Sequence, residues 1–161
     1  MRFLTSIALT AVLMLSATAR AVAGEQVPFR GRDIGYFVVT PMGGPMVLTE
    51  DFTSGRGTHL GAYRLVARED INLETLAVTN GSFTITAANG DTIHGTYAGQ
   101  AELGDRPEVI RYLVTGPITG GTGRFEGATG TLTFDGVADL ATLVLSETIT
   151  GTISRPGSSI Q

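Results

Sequence analysis

The sequence predicts an all-β protein, a single closed eight-stranded antiparallel β-barrel. Three observations carry this prediction. Strand-forming residues such as Thr, Val and Ile are plentiful, and no segment repeats apolar residues with the period of about 3.6 that a helix requires. Short segments instead alternate between apolar and polar residues, with turn residues between them every 8–12 residues or so. About eight segments are recognisable, enough to close a barrel around side chains or one small ligand.

Alternation is clearest in four segments, at residues 82–88, 92–99, 131–140 and 143–154. In the last of them Leu145, Ile149 and Ile153 alternate with polar residues. Successive side chains of a strand point to opposite faces, so we expect the apolar set inside the barrel and the polar set in water. Weaker strand candidates lie at 34–40 and 46–52.

Two Asn-Gly pairs punctuate these strands. Asn89-Gly90 lies between two of the clearest segments and predicts a two-residue hairpin turn, because both residue types accept a positive φ. Asn80-Gly81 predicts a bulge within a longer strand, since a turn there would leave the preceding strand very short.

The N-terminal residues predict an export signal. Arg2 precedes a nearly unbroken apolar run at 3–15, and Ala21-Val22-Ala23 supplies the small residues that signal peptidase recognises. An uncleaved membrane anchor is the alternative, but the run is short for a span of about 20 residues. We expect a signal peptide at 1–23, a barrel domain at 24–154 and a flexible tail at 155–161. The protein would then be secreted or periplasmic, without a membrane span.

Composition excludes several function classes. Without Arg2 and Arg20 the chain has nine basic and 15 acidic residues, a formal charge of −6 that disfavours nucleic acid as a partner. The chain has neither lysine, needed for Schiff-base chemistry, nor cysteine, needed for disulfides. Its two histidines are far apart in sequence, so we expect no metal and no cofactor. His94 should be a solvated surface residue. His59 should bond local backbone groups, with a catalytic role as the alternative.

Residues 120–130 form the most distinctive passage, rich in glycine. A nucleotide-binding loop is disfavoured, because Glu126 occupies the last glycine position of that motif and a strand follows where a helix is required. We expect instead a tight structural crossover, with Phe125 anchoring the loop in the core.

This passage also carries a family resemblance. Gly120-Gly121-Thr122-Gly123-Arg124-Phe125, with Ala128-Thr129-Gly130, resembles the conserved loop of the allene oxide cyclase and dirigent barrel superfamily. Thr58-His59-Leu60-Gly61 and Ala87-Ala88-Asn89-Gly90-Asp91 look like motifs of the exported bacterial allene-oxide-cyclase-like group. The resemblance spans roughly Phe29 to Ser154. It implies an eight-stranded antiparallel barrel, often trimeric, whose lumen holds hydrophobic small molecules. The plant enzymes' catalytic residues have no match here, so none are carried over.

Acids and tyrosines on inward phases are the candidate site. Glu147 shares its parity with Leu145 and Ile149 and should face the barrel interior. Glu50 shares parity with Leu48 and Phe52, and Glu69 with Leu65 and Ile71; for both, a bulge that moves them to the rim is the alternative. The predicted cavity-lining residues are Glu147, Glu50, Tyr63, Tyr97 and Tyr112. Inward acids and phenols would provide an apolar pocket with a recognising or reactive end.

Three functions fit these features. The first is the binding of a small hydrophobic molecule in the lumen. The second is a cyclase-like or dirigent-like enzyme of the isomerase class, which folds a reactive substrate in the cavity. The third is a structural barrel whose lumen is packed with side chains. Interior volume separates the third from the others.

Overall fold

The structure is a computed structural model that describes residues 25–157. Eight antiparallel strands form one closed barrel, in which each strand pairs with its neighbours in sequence and β1 closes on β8. The strands are β1 (Gln26–Gly43), β2 (Met46–Gly57), β3 (Gly61–Asn72), β4 (Ala77–Ala87), β5 (Thr92–Leu103), β6 (Val109–Gly121), β7 (Gly130–Asp139) and β8 (Val144–Ser154). The predicted fold class is confirmed. The predicted signal peptide at 1–23 lies outside the described residues.

Period-two alternation positions the core, as the sequence predicts. On β8, Leu145, Ile149 and Ile153 are buried, whereas Ser146 and Thr152 are exposed. Along such a strand the apolar side chains point into the barrel and the polar ones point into water, so the core lies inside the barrel.

The two ends of the barrel are packed differently. One end is filled by fully buried side chains, among them Ile85, Ile93, Leu132, Ile149 and Ile153. A short 3-10 helix at Gly123–Phe125 lies at this end and inserts Phe125, which is 1% exposed. The prediction that Phe125 anchors this loop in the core is confirmed, but the loop joins the adjacent antiparallel strands β6 and β7 and is therefore a hairpin connection and not a crossover. The opposite end, by contrast, carries the exposed apolar residues Leu73, Leu103, Leu140 and Leu143 near its turns.

The turn at Asn89-Gly90 differs from the two-residue turn predicted. β4 ends at Ala87 and β5 begins at Thr92, and only Gly90 of the pair has a positive φ, 90°. The Gly90 amide donates to the Ala87 carbonyl at 2.9 Å, and the Ala87 amide donates to the Asp91 carbonyl at 2.9 Å. This is a longer loop in which glycine alone takes the left-handed position, because the extra residue leaves Asn89 with a negative φ.

The Asn80-Gly81 bulge is confirmed. β4 runs unbroken through the pair, its register against β5 shifts between Val78 and Gly81, and Asn80 has a φ of 54°. The Asn80 side-chain amide donates to Asp70 Oδ2 at 2.8 Å, which holds the bulge against β3.

The beginning of the predicted tail is attached to the barrel. The Arg155 guanidinium lies 2.8 Å from Glu25 Oε2, and the Gly157 amide donates to the Arg124 carbonyl at 2.7 Å. Residues 158–161 lie outside the described part of the chain. Within residues 25–157, no helix is both long enough and apolar enough to cross a membrane.

Candidate functional site

A cavity of about 140 Å³ lies inside the barrel, toward the end opposite Phe125. Its wall is mostly apolar and includes Leu65, Val78, Val114, Phe134 and Leu145. Its polar lining is mainly acids and phenols, contributed by Asp51, Glu69, Glu147, Tyr97 and Tyr112. No arginine or histidine of the described residues lines this cavity.

The predicted lining residues are placed as follows. Glu147, Tyr97 and Tyr112 line the cavity, and Glu147 is 7% exposed. Tyr63 is equally buried, at 3% exposed, but its hydroxyl reaches Asp33 next to the cavity rather than the cavity wall itself. Inward parity was therefore correct for all four of these residues.

Glu50 does not line the cavity, and its predicted phase is wrong. On β2 the buried residues are Val47, Thr49 and Thr53, with Asp51 on the same phase lining the cavity, so Glu50 lies on the outer face. The outward phase of β2 is the more apolar one, because Leu48 and Phe52 pack on the barrel exterior; Phe52 stacks on Tyr36 with ring centroids 5.2 Å apart. Parity alone therefore selected the wrong acid of the Glu50-Asp51 pair.

One tyrosine reaches an acid by crossing a glycine. Tyr112 on β6 lies opposite Gly136 on β7, and Gly136 lies opposite Glu147 on β8. With no Cβ at Gly136, the Tyr112 ring lies over the backbone, and its hydroxyl donates to Glu147 Oε2 at 2.9 Å. A glycine in a strand marks the close approach of another group, and here that group is a phenol.

The same register of tyrosine, glycine and acid occurs twice more, and in the first of these cases the ring again lies over the glycine. The Tyr97 ring lies over Gly81, its cross-strand partner, and its hydroxyl donates to Glu69 Oε2 at 2.6 Å on the next strand. Tyr63 on β3 is opposite Gly55 on β2, and its hydroxyl donates to Asp33 Oδ2 on β1 at 2.7 Å. Each phenol hydroxyl, which has a single hydrogen to donate, thus donates it to a buried carboxyl group two strands away.

Two of these units meet where the barrel closes. Asp33 on β1 is the direct cross-strand partner of Glu147 on β8. One continuous row therefore circles part of the barrel, and it reads Tyr112, Gly136, Glu147, Asp33, Gly55, Tyr63. The two acids at its centre each accept a hydrogen bond from the tyrosine at the nearer end of the row. The row therefore brings two carboxyl groups together in the barrel interior.

Burial makes these acids weak. Desolvation, strengthened by the charge of Asp33, raises the pKa of Glu147 well above its ordinary value. Desolvation likewise raises the pKa of Asp33, although the bond from Tyr63 acts in the opposite direction. The pKa of Asp51 rises to about 8, through desolvation and then the charge of Glu69, and that of Glu69 rises to about 7, mainly through desolvation. Several carboxyl groups of this interior are therefore protonated, or titrate, near neutral pH.

The phenols remain donors under these conditions. Desolvation raises the pKa values of Tyr63, Tyr97 and Tyr112, and the neighbouring acids raise them further. Two carboxyl oxygens have no such donor: within the described part of the chain, Asp33 Oδ1 and Asp51 Oδ1 are buried and accept no hydrogen bond. The interior thus contains carboxyl oxygens without a hydrogen-bond donor, and a bound molecule that donates a hydrogen bond would satisfy one of them.

Sequence reasoning missed Asp33 and Asp51. Asp33 directly precedes the segment taken as the first strand, whereas β1 begins at Gln26. The available signal was the arginines at positions 30, 32 and 56, since a charged residue on the outward phase assigns the alternate residues to the interior. Glu69, left open between interior and rim, is 6% exposed and lines the cavity.

The remaining sequence candidates lie away from the cavity. Both histidines are exposed, and His59 Nε2 lies 3.2 Å from the Pro28 carbonyl oxygen, the local backbone role expected of it. In the glycine-rich loop, the Arg124 amide donates to Asp91 Oδ2 at 3.3 Å and the Arg124 guanidinium lies 3.5 Å from the same oxygen, so a carboxylate of the chain itself lies against this loop. Among the described residues, no group of three or more His, Asp or Glu side chains is arranged to hold a metal ion.

Comparison with known proteins provides no relative for this chain. No family model, no curated protein and no solved structure matches it.

Proposed function

We propose that this protein is an exported barrel that binds a small hydrophobic molecule in its lumen. The observation that carries the proposal is the cavity of about 140 Å³, whose apolar wall leads to acids and phenols. An apolar interior with a few convergent polar groups is the usual form of a small-molecule site. Export is proposed from Arg2, the apolar run at 3–15 and the Ala-Val-Ala site before Gly24.

The volume of the cavity limits the size of the ligand. An apolar cavity of about 150 Å³ accommodates a molecule of the size of benzene. The lumen, at about 140 Å³, therefore fits a single ring or a short branched chain. Longer molecules would have to extend between the apolar turns at the open end, past Leu73 and Leu140, which both line the cavity.

The polar end favours a ligand that donates a hydrogen bond. Asp51 lines the cavity with one oxygen unpaired, and the phenols of Tyr97 and Tyr112 already donate to Glu69 and Glu147. A hydroxyl or amine on the ligand would pair with a carboxyl oxygen that burial otherwise leaves unsatisfied. We therefore expect phenol to bind more tightly than benzene.

An isomerase of the cyclase or dirigent kind is the second candidate. The specific observation in its favour is the cross-strand pair of Asp33 and Glu147, both with raised pKa values. Two interacting carboxyl groups titrate in separate steps, so one can hold a proton while the other is ionised, the requirement for general acid and base action near neutral pH. The resemblance of residues 120–130 to the allene oxide cyclase and dirigent loop supports the same proposal, as does the eight-stranded barrel it implies.

The experiment is a titration of the protein with benzene and with phenol, followed by NMR of the barrel methyl groups. Binding in the lumen shifts Leu65, Val114 and Leu145 saturably and leaves the packed-end Ile85 unmoved. Ala67→Leu, at a position that lines the cavity opposite Asp51, fills it while leaving every acid of the sequence in place and should abolish binding.

Asp51→Ala and Glu50→Ala form a matched pair, because the first removes the cavity-lining acid with the unpaired oxygen and the second removes its neighbour on the outer face. Only Asp51→Ala should weaken phenol binding. Mass spectrometry of molecules that co-purify with the native protein would then identify the natural ligand, and loss of its conversion without loss of its binding in Glu147→Gln would establish the isomerase. Methyl groups that respond to neither benzene nor phenol would leave the structural barrel as the function.

A further inference from the structure

The arginines of the barrel divide into two groups. Residues 25–157 contain nine arginines, and four of them, Arg106, Arg111, Arg124 and Arg155, each lie within 3.5 Å of an acidic side chain. The other five form no ion pair with any described residue. All five are exposed and lie on the outward phases of β1, β2 and β3; they are Arg30, Arg32, Arg56, Arg64 and Arg68.

Strand register brings these unpaired arginines together. Arg32 on β1 is the direct cross-strand partner of Arg56 on β2, and Arg64 on β3 lies opposite Ser54, two residues before Arg56. Like charges directly opposite each other on a sheet destabilise it. Asp135 lines the same surface groove, two strands away from Arg32, but neither Arg32 nor Arg56 forms an ion pair with a described residue, which leaves their charge available to a partner outside the molecule.

Apolar side chains of the outer face adjoin these arginines on the same strands, and all of them are exposed except Phe52, which is half-buried. Tyr36, Phe52 and Val66 form one cross-strand row, and the rings of Tyr36 and Phe52 stack at 5.2 Å. Within this row Tyr36 is 56% exposed, and Ile34, which is 60% exposed, lies between Arg32 and Tyr36 on the outer face of β1. Glu50 is the acid nearest the row, half-buried and opposite Arg68. We call the five arginines with Ile34, Tyr36, Phe52 and Val66 the basic face.

We propose that the basic face docks the barrel on the surface of an anionic phospholipid bilayer. Arginines attract the headgroups, while tyrosine, phenylalanine and aliphatic side chains enter the boundary between headgroups and acyl chains. A soluble anion would use the arginines and leave Ile34 and Tyr36 in water. A symmetric pairing of two copies through this face would bring ten arginines together, and their repulsion opposes it.

The test is co-sedimentation with vesicles of phosphatidylglycerol and phosphatidylcholine, compared with vesicles of phosphatidylcholine alone. The protein should bind the anionic vesicles, and about 0.5 M salt should release it by screening the arginines. Each arginine near an anionic surface contributes roughly fivefold to the partition coefficient. The triple variant Arg32→Gln, Arg56→Gln, Arg64→Gln should therefore bind at least tenfold more weakly.

Matched variants separate the face from net charge. Arg106→Gln with Arg111→Gln removes two arginines that are ion-paired elsewhere on the barrel, and it should retain most of the binding. Tyr36→Ser keeps the charge and should weaken binding severalfold by removing the inserted ring. All these positions are exposed, so unchanged melting temperatures serve as the folding control.

Three results would overturn the proposal. These are equal binding to both vesicle types, equal losses in the two arginine variants, and sedimentation of the free protein as an oligomer that the triple variant dissociates. The last would make the basic face an interface between copies. None of these outcomes bears on the lumen, and Glu147→Gln should bind vesicles as the unaltered protein does.

Discussion

The ring of Tyr112 covers the position that a Cβ atom at Gly136 would occupy. These two residues are direct cross-strand partners on β6 and β7, and the glycine is what allows the phenol to reach Glu147 on β8. A tyrosine, a glycine and an acid recur in this order on three sets of strands, and at Gly136 and Gly81 the missing side chain leaves room for the tyrosine ring.

Gly136→Ala should destabilise the barrel by about 1–3 kcal/mol, because the added methyl group overlaps the Tyr112 ring and forces it to move. The measurement is the free energy of unfolding in urea. Tyr112→Ala provides the control, since the alanine at 136 should cost much less in its background. Equal costs in both backgrounds would show that the ring and the glycine are not coupled.

Stability should fall as pH rises from about 5 to 9. The folded-state pKa of Asp51 is raised to about 8 and that of Glu69 to about 7. At any pH above the ordinary carboxyl pKa values, the folded state therefore binds more protons than the unfolded state. The stabilisation that these two raised pKa values provide is complete below that range, and it is lost as the pH rises through the folded-state pKa values. The loss should be on the order of several kcal/mol, measured by urea unfolding at each pH.

Asp51→Asn should flatten this pH dependence, and Glu50→Gln, on the outer face, should leave it unchanged. A protein that gains stability between pH 5 and 9 would contradict the assignment of raised pKa values to the interior acids.

Gly90→Val should destabilise the fold by about 1 kcal/mol or more, since Gly90 has a φ of 90° and a β-branched residue is strained there. A Cβ at this position meets nothing within 4 Å, so the effect isolates the backbone. Gly90→Asn should cost less, because asparagine tolerates the left-handed region. An unchanged melting temperature for Gly90→Val would count against a left-handed Gly90.

The mature protein should begin at Gly24. Intact-mass measurement of the exported product decides this, because cleavage after Ala23 removes the apolar run at 3–15 together with Arg2 and Arg20. A mass that retains residues 1–23 would favour the uncleaved anchor instead.

Local pattern was sufficient for the barrel and for part of its site. On β8 the alternation of Leu145, Ile149 and Ile153 with polar residues is strict, so Glu147 could be assigned to the interior from its parity alone. The inward phases of Tyr63, Tyr97 and Tyr112 were predicted in the same way. The alternation of apolar and polar residues along a strand involves only a few consecutive residues. It can be recognised in the sequence wherever one face of the strand is buried and the other is exposed to solvent.

The sequence by itself thus determined the all-β class and the faces of the regular strands. Tertiary structure decided which acids meet: Asp33 lies 114 positions before Glu147 and becomes its partner only because β1 closes on β8. It also reversed the phase of β2, where Phe52 stacks half-buried on Tyr36 on the exterior and Asp51 lies in the interior. The physical reason is that hydrophobicity marks a buried face only when the other face is solvated. Where both faces make contacts, the register between distant strands makes the assignment.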